Sequence, residues 1–315
     1  MVLRKPNFWI GTAVFAGLIS FGALPAQEYR VSSLDRYADC PFKYFAGSVL
    51  RLDEEPTEEP SLTPRERGTL LHALFETFYR EWERAGHRGI TTGNLAEAIE
   101  AFERIANDAL AALPDADRAL ESARLLGSIV MRGAGERVFL AEADAHRDVV
   151  SRSLEVPLNG TYEFPTGGFA PPRAIAIRGV ADRVDRLSDG TLRLVDYKLT
   201  RAPGDHAVQL KVYGFVAQKY FSKDGRDPAV SIAEYISFGD DSNAAKSIAE
   251  KNSTVAQAVE IGAQQFAQHV ARIEAGEFPP EPAEIGLCEW CAFAFVCRRE
   301  SVTEKGDEGG AAEPL

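Results

Sequence analysis

Three strand-like segments follow one another between residues 149 and 199, in a chain whose other long segments have mostly helical periodicity. They read VVSRSLEVPL, AIAIRGVADRVDRL and TLRLVDYKL, and all three are rich in apolar and β-branched residues. The dipeptides Asn159-Gly160 and Asp189-Gly190 follow the first and second segments and are turn signals. We therefore predict a meander of three strands, which restricts the fold to classes built on a sheet.

Helical patterns flank these strands. In the segment 65–85, apolar residues recur every three or four positions on one stripe, and His72 lies within it. Helical periodicity continues over 95–113 and 118–145, with Pro114 at the break, and returns over 206–221 and 255–275. The segment 230–238, VSIAEYISF, is a further strand, and SSLDRYADCPFKYFAGSVL near the amino terminus predicts one or two short helices. This order predicts an α/β core with a helical insertion and a sheet that need not be wholly parallel.

Two side chains at the end of the third segment suggest chemistry. Asp196 and Lys198 are two residues apart, so a strand points both to the same face. Asp182 lies on the preceding strand, where pairing can bring it beside Asp196. Two close carboxylates repel each other unless a cation lies between them, and Mg²⁺ or Mn²⁺ prefers such oxygen ligands. A metal held there would activate water and neutralise charge on a phosphoryl oxygen, with Lys198 assisting.

Several spaced motifs together resemble the RecB-type branch of the PD-(D/E)XK nuclease superfamily. The matching residues, in chain order, are His72 in GTLLHALFE, Glu155 in SLEVP, Asp182 in GVADRVD, Asp196 and Lys198 in DYK, and Gln209 and Tyr213 in QLKVY. Each motif is weak alone, and a histidine on an amphipathic helix or an Arg183–Asp185 ion pair is commonplace. Their joint order favours the family over coincidence.

The resemblance implies a restriction-endonuclease-like fold, a mixed central sheet flanked by helices. It implies a metal held by His72, Asp182, Asp196 and the backbone carbonyl of Leu199, and a catalytic Lys198. Glu155, Gln209 and Tyr213 are expected to organise the site or to contact nucleic acid. The implied reaction is metal-dependent hydrolysis of DNA phosphodiester bonds, on single strands or DNA ends, in recombination and double-strand break repair.

Four cysteines form a second candidate site. Cys288, Cys291 and Cys297 are spaced C-x2-C-x5-C, and Cys40 lies far upstream in ADCPFKYF. Four thiolates suit one zinc ion or one iron–sulfur cluster, and two disulfides are the alternative if the chain is exported. The arrangement resembles that of the iron–sulfur nucleases of the AddB type, which implies a [4Fe-4S] cluster that ties the two ends of the domain together.

Charge and composition limit the partners. The net charge of −12 gives no general attraction to phosphate, so DNA would need a locally basic channel. We expect that channel to draw on two groups of cations, or else these are solvated faces: Arg65, Arg67, Arg80, Arg84 and Arg88; and Arg173, Arg178, Arg183, Arg186, Arg193, Lys198 and Arg201. No G-x-x-x-x-G-K-[ST] phosphate loop occurs, so a helicase partner would be a separate chain.

The chain divides into four predicted parts. Residues 1–26 contain an apolar run, 8–24, after Arg4 and Lys5, which suits a signal or anchor, a buried helix, or an extension. Residues 27–300 form the nuclease domain, mainly helical over 65–145, catalytic over 148–240 and with the cysteine region at 280–300. Residues 301–315 form a disordered tail. We expect a cytoplasmic enzyme; the rival classes are a non-catalytic DNA-binding subunit and an exported, disulfide-bonded protein.

Overall fold

The computed structural model describes residues 28–52, 62–145, 147–168, 171–238 and 245–297. The predicted apolar segment 1–26 and the predicted tail 301–315 lie outside these residues. In the part of the chain that is described, no helix has both the length and the apolar character needed to cross a membrane. The domain boundaries stay predictions.

The helices agree with the sequence patterns over most of the chain. Their bounds are α1 Val31–Asp39, α2 Pro41–Tyr44, a π-helical turn Phe45–Val49, α3 Pro64–Arg84, α4 Leu95–Leu110, α5 Asp115–Leu126, α6 Ala134–Ala145, α7 Gln209–Tyr220, α8 Val255–Glu274 and α9 Ala294–Cys297. Helix α3 begins at a capping box, in which the hydroxyl of Thr63 accepts from the Glu66 N–H and the Glu66 carboxylate accepts from the Thr63 N–H. Its start is thereby fixed, and with it the position of His72.

The predicted helix 118–145 is wrong in its middle. A short hairpin, strands β2 (Gly127–Ser128) and β3 (Met131–Arg132), separates α5 from α6. Gly127 has φ of 84°, a conformation that side chains rarely adopt, and a Cβ on Gly133 would lie 2.4 Å from the carbonyl oxygen of Leu125. The two glycines permit this tight return, which the helical pattern around them conceals.

The remaining strands form two sheets. Their bounds are β1 Tyr29–Arg30, β4 Val149–Pro157, β5 Gly160–Phe164, β6 Arg173–Arg178, β7 Val180–Leu187, β8 Leu192–Lys198, β9 Val230–Ser237 and β10 Ala245–Ser247. The larger sheet has the order β10-β9-β8-β7-β4, with β8 and β9 parallel and the other pairs antiparallel. The smaller has the order β1-β6-β5. The mixed sheet agrees with the predicted fold class.

The predicted meander is correct in its pairing and wrong in its continuity. Strands β4, β7 and β8 are antiparallel neighbours, and the Asp189-Gly190 turn joins β7 to β8. However, the second predicted segment breaks at Gly179 into β6 and β7, which belong to different sheets. Asn159-Gly160 likewise marks the passage from β4 to β5, which do not pair, rather than a hairpin. The side chain of Asn159 accepts from the Gly179 N–H, which joins the two crossing points.

Two hydrophobic cores hold the larger sheet between helices. One packs α1, α7 and α8 against the smaller sheet and one face of the larger, with Val184 and Leu194 among its members. The other packs α3, α4 and α6 against the opposite face, with Val195 and Tyr197 among its members. Because side chains alternate along a strand, neighbouring residues of β7 and β8 enter different environments.

Candidate functional site

Three carboxylates lie side by side on three adjacent strands. The β4–β7 register pairs Leu154 with Arg183 and Val156 with Ala181, so Glu155 is opposite Asp182. The β7–β8 register, which pairs Arg183 with Val195, continues to place Asp182 opposite Asp196. The central strand thus carries Asp182 between two other acids, as the sequence predicts for Asp182 and Asp196.

Helix α3 brings His72 to the same place. Its Nδ1 lies 3.5 Å from Oδ1 of Asp182, and the ring packs edge-on against Tyr197. The ligand atoms of His72, Glu155 and Asp182 lie within 4.8 Å of one another, close enough for one metal ion. This group contains Glu155, which we expected only to organise the site, while Asp196 lies beside it.

Asp196 is held by two side chains. Lys198 Nζ lies 2.8 Å from Asp196 Oδ2, and Gln209 Nε2 donates to Asp196 Oδ1 at 3.0 Å. Gln209 Oε1 in turn accepts from Lys198 Nζ at 3.0 Å, which closes a ring of three polar groups. The predicted closeness of Asp196 and Lys198 is confirmed, and Gln209, from the start of α7, fixes their orientation.

The site concentrates negative charge. Burial and the neighbouring Asp182 raise the pKa of Asp196 to about 7, although Lys198 opposes the shift. Burial and Asp182 also raise the pKa of Glu155. Burial opposes charging of His72, but the three carboxylates outweigh it and raise the pKa of the imidazole. Each shift shows that another positive charge would be stabilised here.

Backbone geometry marks Glu155 as unusual. Its φ of 48° lies in the left-handed region, although the residue is neither glycine nor asparagine and lies within a strand. Such a conformation costs on the order of 1–3 kcal/mol and persists where the surroundings enforce it, often at functional sites. The conformation is a signal that sequence patterns do not carry.

Tyr213 braces the site from α7. It is buried, one helical turn after Gln209, and burial together with Asp196 and Asp182 raises the pKa of its hydroxyl. Its ring occupies the space beside Gly179, where a Cβ would lie 2.6 Å from the ring carbon Cε1. The glycine of the G-x-x-D motif is therefore required by packing.

Asp35 is a member of the site that sequence reasoning missed. From α1 it accepts hydrogen bonds from the backbone N–H groups of Val208 and Gln209, at 2.8 and 2.9 Å, and so caps α7. Burial raises the pKa of this carboxyl, while Lys198 counteracts the shift. An acid on the same stripe as the buried Val31 and Leu34 was the available signal.

Two of the arginines predicted to line a DNA channel do not. Arg183 and Arg193 are buried, and they bind Asp185, Glu142 and Glu234 on the opposite face of the sheet. Burial of their charge is possible because three carboxylates surround them. The Arg183–Asp185 ion pair that the sequence allowed is confirmed, with contacts of 2.9 and 2.6 Å.

The four cysteines line one cavity. Its volume is about 820 Å³, and Cys40, Cys288, Cys291 and Cys297 are all on its wall. None of them forms a disulfide. Burial raises the pKa of the Cys40 thiol, and Cys291 and Cys288 add to the shift, which reflects their proximity. Four thiols converging on one space match the donor set of a four-thiolate metal site.

Hydrogen bonds also join the ends of the chain beside this cavity. Phe42 N donates to the Pro279 carbonyl, Ala283 N donates to the Asp39 carbonyl, and the Tyr37 hydroxyl donates to the Glu277 carbonyl. The side chain of Asp39 also contacts His206 at 2.9 Å and Lys43 at 2.7 Å. Cys40 therefore meets the carboxy-terminal trio through contacts that the protein itself supplies.

Comparison with known proteins places the fold and the carboxylate site in a family. Residues 30–298 match the PD-(D/E)XK nuclease superfamily, which is most of the chain. The chain belongs to this superfamily, as its mixed sheet and row of acids indicate.

Curated relatives include large proteins that are each named as one of the subunits of an ATP-dependent helicase/deoxyribonuclease. The chain is 28% identical to the relative from Streptococcus agalactiae over 169 residues, 53% of this chain and 14% of the relative. It is 30% identical to the relative from Symbiobacterium thermophilum over 188 residues, 54% of this chain and 15% of the relative. The corresponding values for Moorella thermoacetica are 27%, 203 residues, 58% and 17%. The chain thus matches about a sixth of the length of these relatives.

One solved structure, titled "Crystal structure of SSO0001", covers 82% of this chain and 94% of its own, with 18% sequence identity. Its TM-score is 0.28, and the fold assignment rests on the sheet order and the family match instead.

Proposed function

We propose that this protein is a metal-dependent deoxyribonuclease that hydrolyses phosphodiester bonds in single-stranded DNA or at DNA ends. The observation that carries the proposal is the row of Glu155, Asp182 and Asp196, with His72 and Lys198 beside it. The names of the relatives support DNA as the substrate and a role in recombination and double-strand break repair. They also support a separate helicase chain as partner.

The donor set fits a hard divalent cation such as Mg²⁺ or Mn²⁺, because carboxylate oxygens predominate and an imidazole completes it. His72, Asp182, Asp196 and the carbonyl of Leu199 would hold the metal, and Glu155 lies close enough to join them. Such a metal supplies Lewis-acid activation of water and of the phosphoryl oxygen. The charge of the three acids favours it.

The chain's own residues would position the reaction. Lys198, held by Asp196 and Gln209, stabilises negative charge on the phosphoryl oxygens as a bond forms from water to phosphorus and the bond to the leaving sugar oxygen breaks. Gln209 and Tyr213 keep Asp196 and Lys198 in register through α7. They are positioning residues.

We further propose that Cys40, Cys288, Cys291 and Cys297 hold a [4Fe-4S] cluster with a structural role. The four thiols on one cavity support four-thiolate ligation, and the resemblance to iron–sulfur nucleases favours the cluster over zinc. A thiolate-held cluster would also suit a reducing, cytoplasmic compartment.

The test is cleavage of end-labelled single- and double-stranded DNA by anaerobically purified protein, with Mg²⁺, Mn²⁺ or EDTA. Asp196→Asn and Lys198→Gln are the test variants, and Asp189→Asn, in the exposed β7–β8 turn, is the matched control. We expect metal-dependent cleavage that both test variants lose and the control retains. Absence of cleavage by the folded protein, alone and with a copurifying helicase, would contradict the enzyme and favour a DNA-binding subunit.

Ultraviolet–visible spectroscopy and iron and zinc analysis of the same protein test the cluster. We expect brown protein with about four iron atoms per chain, and loss of the colour in Cys291→Ser. One zinc ion per chain and no iron would refute the cluster while leaving the nuclease proposal intact.

A further inference from the structure

A second cavity opens directly beside the candidate active site. Its volume is about 300 Å³, at the lower end of the range for small-ligand pockets, about 300–1,000 Å³. Leu199 and Thr200, the two residues that follow Lys198, form one wall. The opposite walls come from α3, α5 and α6 of the helical insertion. A ligand in this cavity would therefore lie next to the reacting phosphate.

The interior of the cavity is apolar. Leu70 and Leu71 from α3, Leu125 from α5 and Phe238 after β9 line it. The Phe238 ring is itself held by Phe75, at a centroid distance of 5.4 Å, so it is a fixed surface rather than a loose side chain. Flat and apolar surfaces of this kind accept the face of a nucleobase.

The mouth of the cavity is cationic. Arg67 and Arg124 both approach Oε1 of the buried Glu121, at 2.9 and 3.0 Å. One carboxylate thus gathers two guanidinium groups and leaves one positive charge in excess. Nε of Arg67 is buried and, among the described residues, has no hydrogen-bond partner despite its closeness to Glu121. Arg124 is half exposed, so it can turn a donor to an incoming anion.

We propose that this cavity binds one nucleotide of the DNA strand being cleaved, with the base against Leu70 and Phe238 and a phosphate at Arg67 and Arg124. The proposal rests on the proposed nuclease function and adds to it a base-binding subsite next to the scissile phosphate. A base can enter only when it is unpaired, so the subsite selects single strands over duplex. Readout by stacking and apolar contact is tolerant of base identity, which suits a nuclease without sequence specificity.

The experiment is an abasic scan. A labelled single-stranded oligonucleotide carries one abasic site, moved one position at a time, and its dissociation constant is measured by fluorescence anisotropy with Ca²⁺ in place of Mg²⁺. Wild type is compared with Leu70→Trp, which fills the cavity, and Arg124→Gln, which removes a charge from its mouth. The controls are Leu120→Trp and Arg118→Gln, two exposed positions on the same helix α5 that do not line the cavity.

We expect one abasic position to weaken binding by wild type and by both controls about tenfold. In Leu70→Trp the scan is flat, at the affinity of the weakened complex. In Arg124→Gln the dependence on abasic position remains, with weaker binding and a smaller salt dependence. A flat scan in wild type, or a position effect that survives in Leu70→Trp, would overturn the subsite. If Leu70→Trp does not fold, an Arg124→Gln variant that binds like wild type overturns it.

Cleavage with Mg²⁺, measured on the same oligonucleotides, separates the two proposals. Metal-dependent cleavage together with a flat scan would refute the base subsite and keep the nuclease. A single sensitive position without cleavage would keep the subsite and refute the nuclease as proposed.

Discussion

Two clusters of buried charge lie on opposite faces of the same strands. Asp182 and Asp196 point to one face of β7 and β8, and their sequence neighbours Arg183 and Tyr197 point to the other. The second face carries a network of three arginines and three carboxylates: Arg152, Arg183, Arg193, Glu142, Asp185 and Glu234. Both clusters are buried, but they differ in charge balance.

The arginine network is neutral as a whole and extensively paired. Asp185 accepts from Arg152 and from Arg183, and Arg193 joins Glu142 to Glu234. The ring of Tyr79 lies between the guanidinium groups of Arg152 and Arg183, 4.3 and 4.2 Å from its centre. This network joins α3 and α6 of the helical insertion to the sheet, so its role is structural.

The candidate active site carries an excess of acid. Glu155, Asp182 and Asp196 face one lysine and a histidine, and the pKa values of Glu155 and Asp196 are raised, whereas those of Glu142 and Asp185 are lowered. The comparison teaches that buried charge by itself does not indicate function. Uncompensated charge of one sign does, because the fold tolerates it only in exchange for a ligand.

The largest expected effect is on cleavage. Asp196→Asn should lower the cleavage rate about 10³-fold or more, because it removes both a metal ligand and the partner of Lys198. The free energy of unfolding should stay the same or rise, since the substitution also removes repulsion from Asp182. Single-turnover cleavage and urea unfolding of the same preparation measure the two quantities. A variant that loses stability and activity together would assign Asp196 to the scaffold.

Asp185→Asn, three residues along β7 from Asp182, should have the opposite profile. Removing one member of a buried ion network costs about 3–5 kcal/mol, because Arg152 and Arg183 lose their shared acceptor. The midpoint of urea unfolding should fall accordingly. The fraction that remains folded should cleave DNA at the wild-type rate, and a folded but inactive Asp185→Asn protein would contradict the division into two clusters.

Gly179→Ala should have an intermediate effect on both quantities. The added methyl would lie 2.6 Å from a carbon of the Tyr213 ring, and overpacking of this kind costs about 1–3 kcal/mol. Displacement of Tyr213 should also lower cleavage through Gln209. Gly68→Ala is the control, since its Cβ within α3 would meet nothing within 4 Å and should stabilise the protein by up to about 1 kcal/mol.

The smallest effect is a difference in pH dependence, measured by urea unfolding in EDTA. The pKa of Asp196 is raised to about 7, against about 3.9 for an exposed aspartate, so the folded state retains a proton that the unfolded chain has lost. Its contribution to stability is fully present below pH ~3.9 and is lost as the pH rises through about 7. Stability of wild type should therefore fall relative to Asp196→Asn between pH 5 and 8.

The arginine network should have the reverse dependence. Burial raises the pKa of Asp185, but the three arginines outweigh it, and the net shift is downward. Its contribution is present above pH ~3.9 and is lost as the pH falls toward the lowered value. Identical pH profiles for the Asp196→Asn and Asp185→Asn proteins would remove the electrostatic distinction between the clusters.

The amino-acid sequence alone was sufficient for most of the site. The motifs around His72, Asp182, Asp196 and Gln209 are short, and strand alternation places Lys198 beside Asp196 without further information. The alternating and helical patterns likewise predicted the main helices and the pairing of β4, β7 and β8. These are local properties, set by periods of two or about 3.6 residues.

Tertiary structure alone decided the rest. Whether an arginine of β7 or β8 faces DNA or a buried acid depends on what packs over the sheet, and the helical insertion covers Arg183 and Arg193. The cap that Asp35 provides to α7 and the meeting of Cys40 with the carboxy-terminal cysteines join residues far apart in sequence. No local period encodes such contacts, because they arise only when the chain closes its long loops and the two cores form.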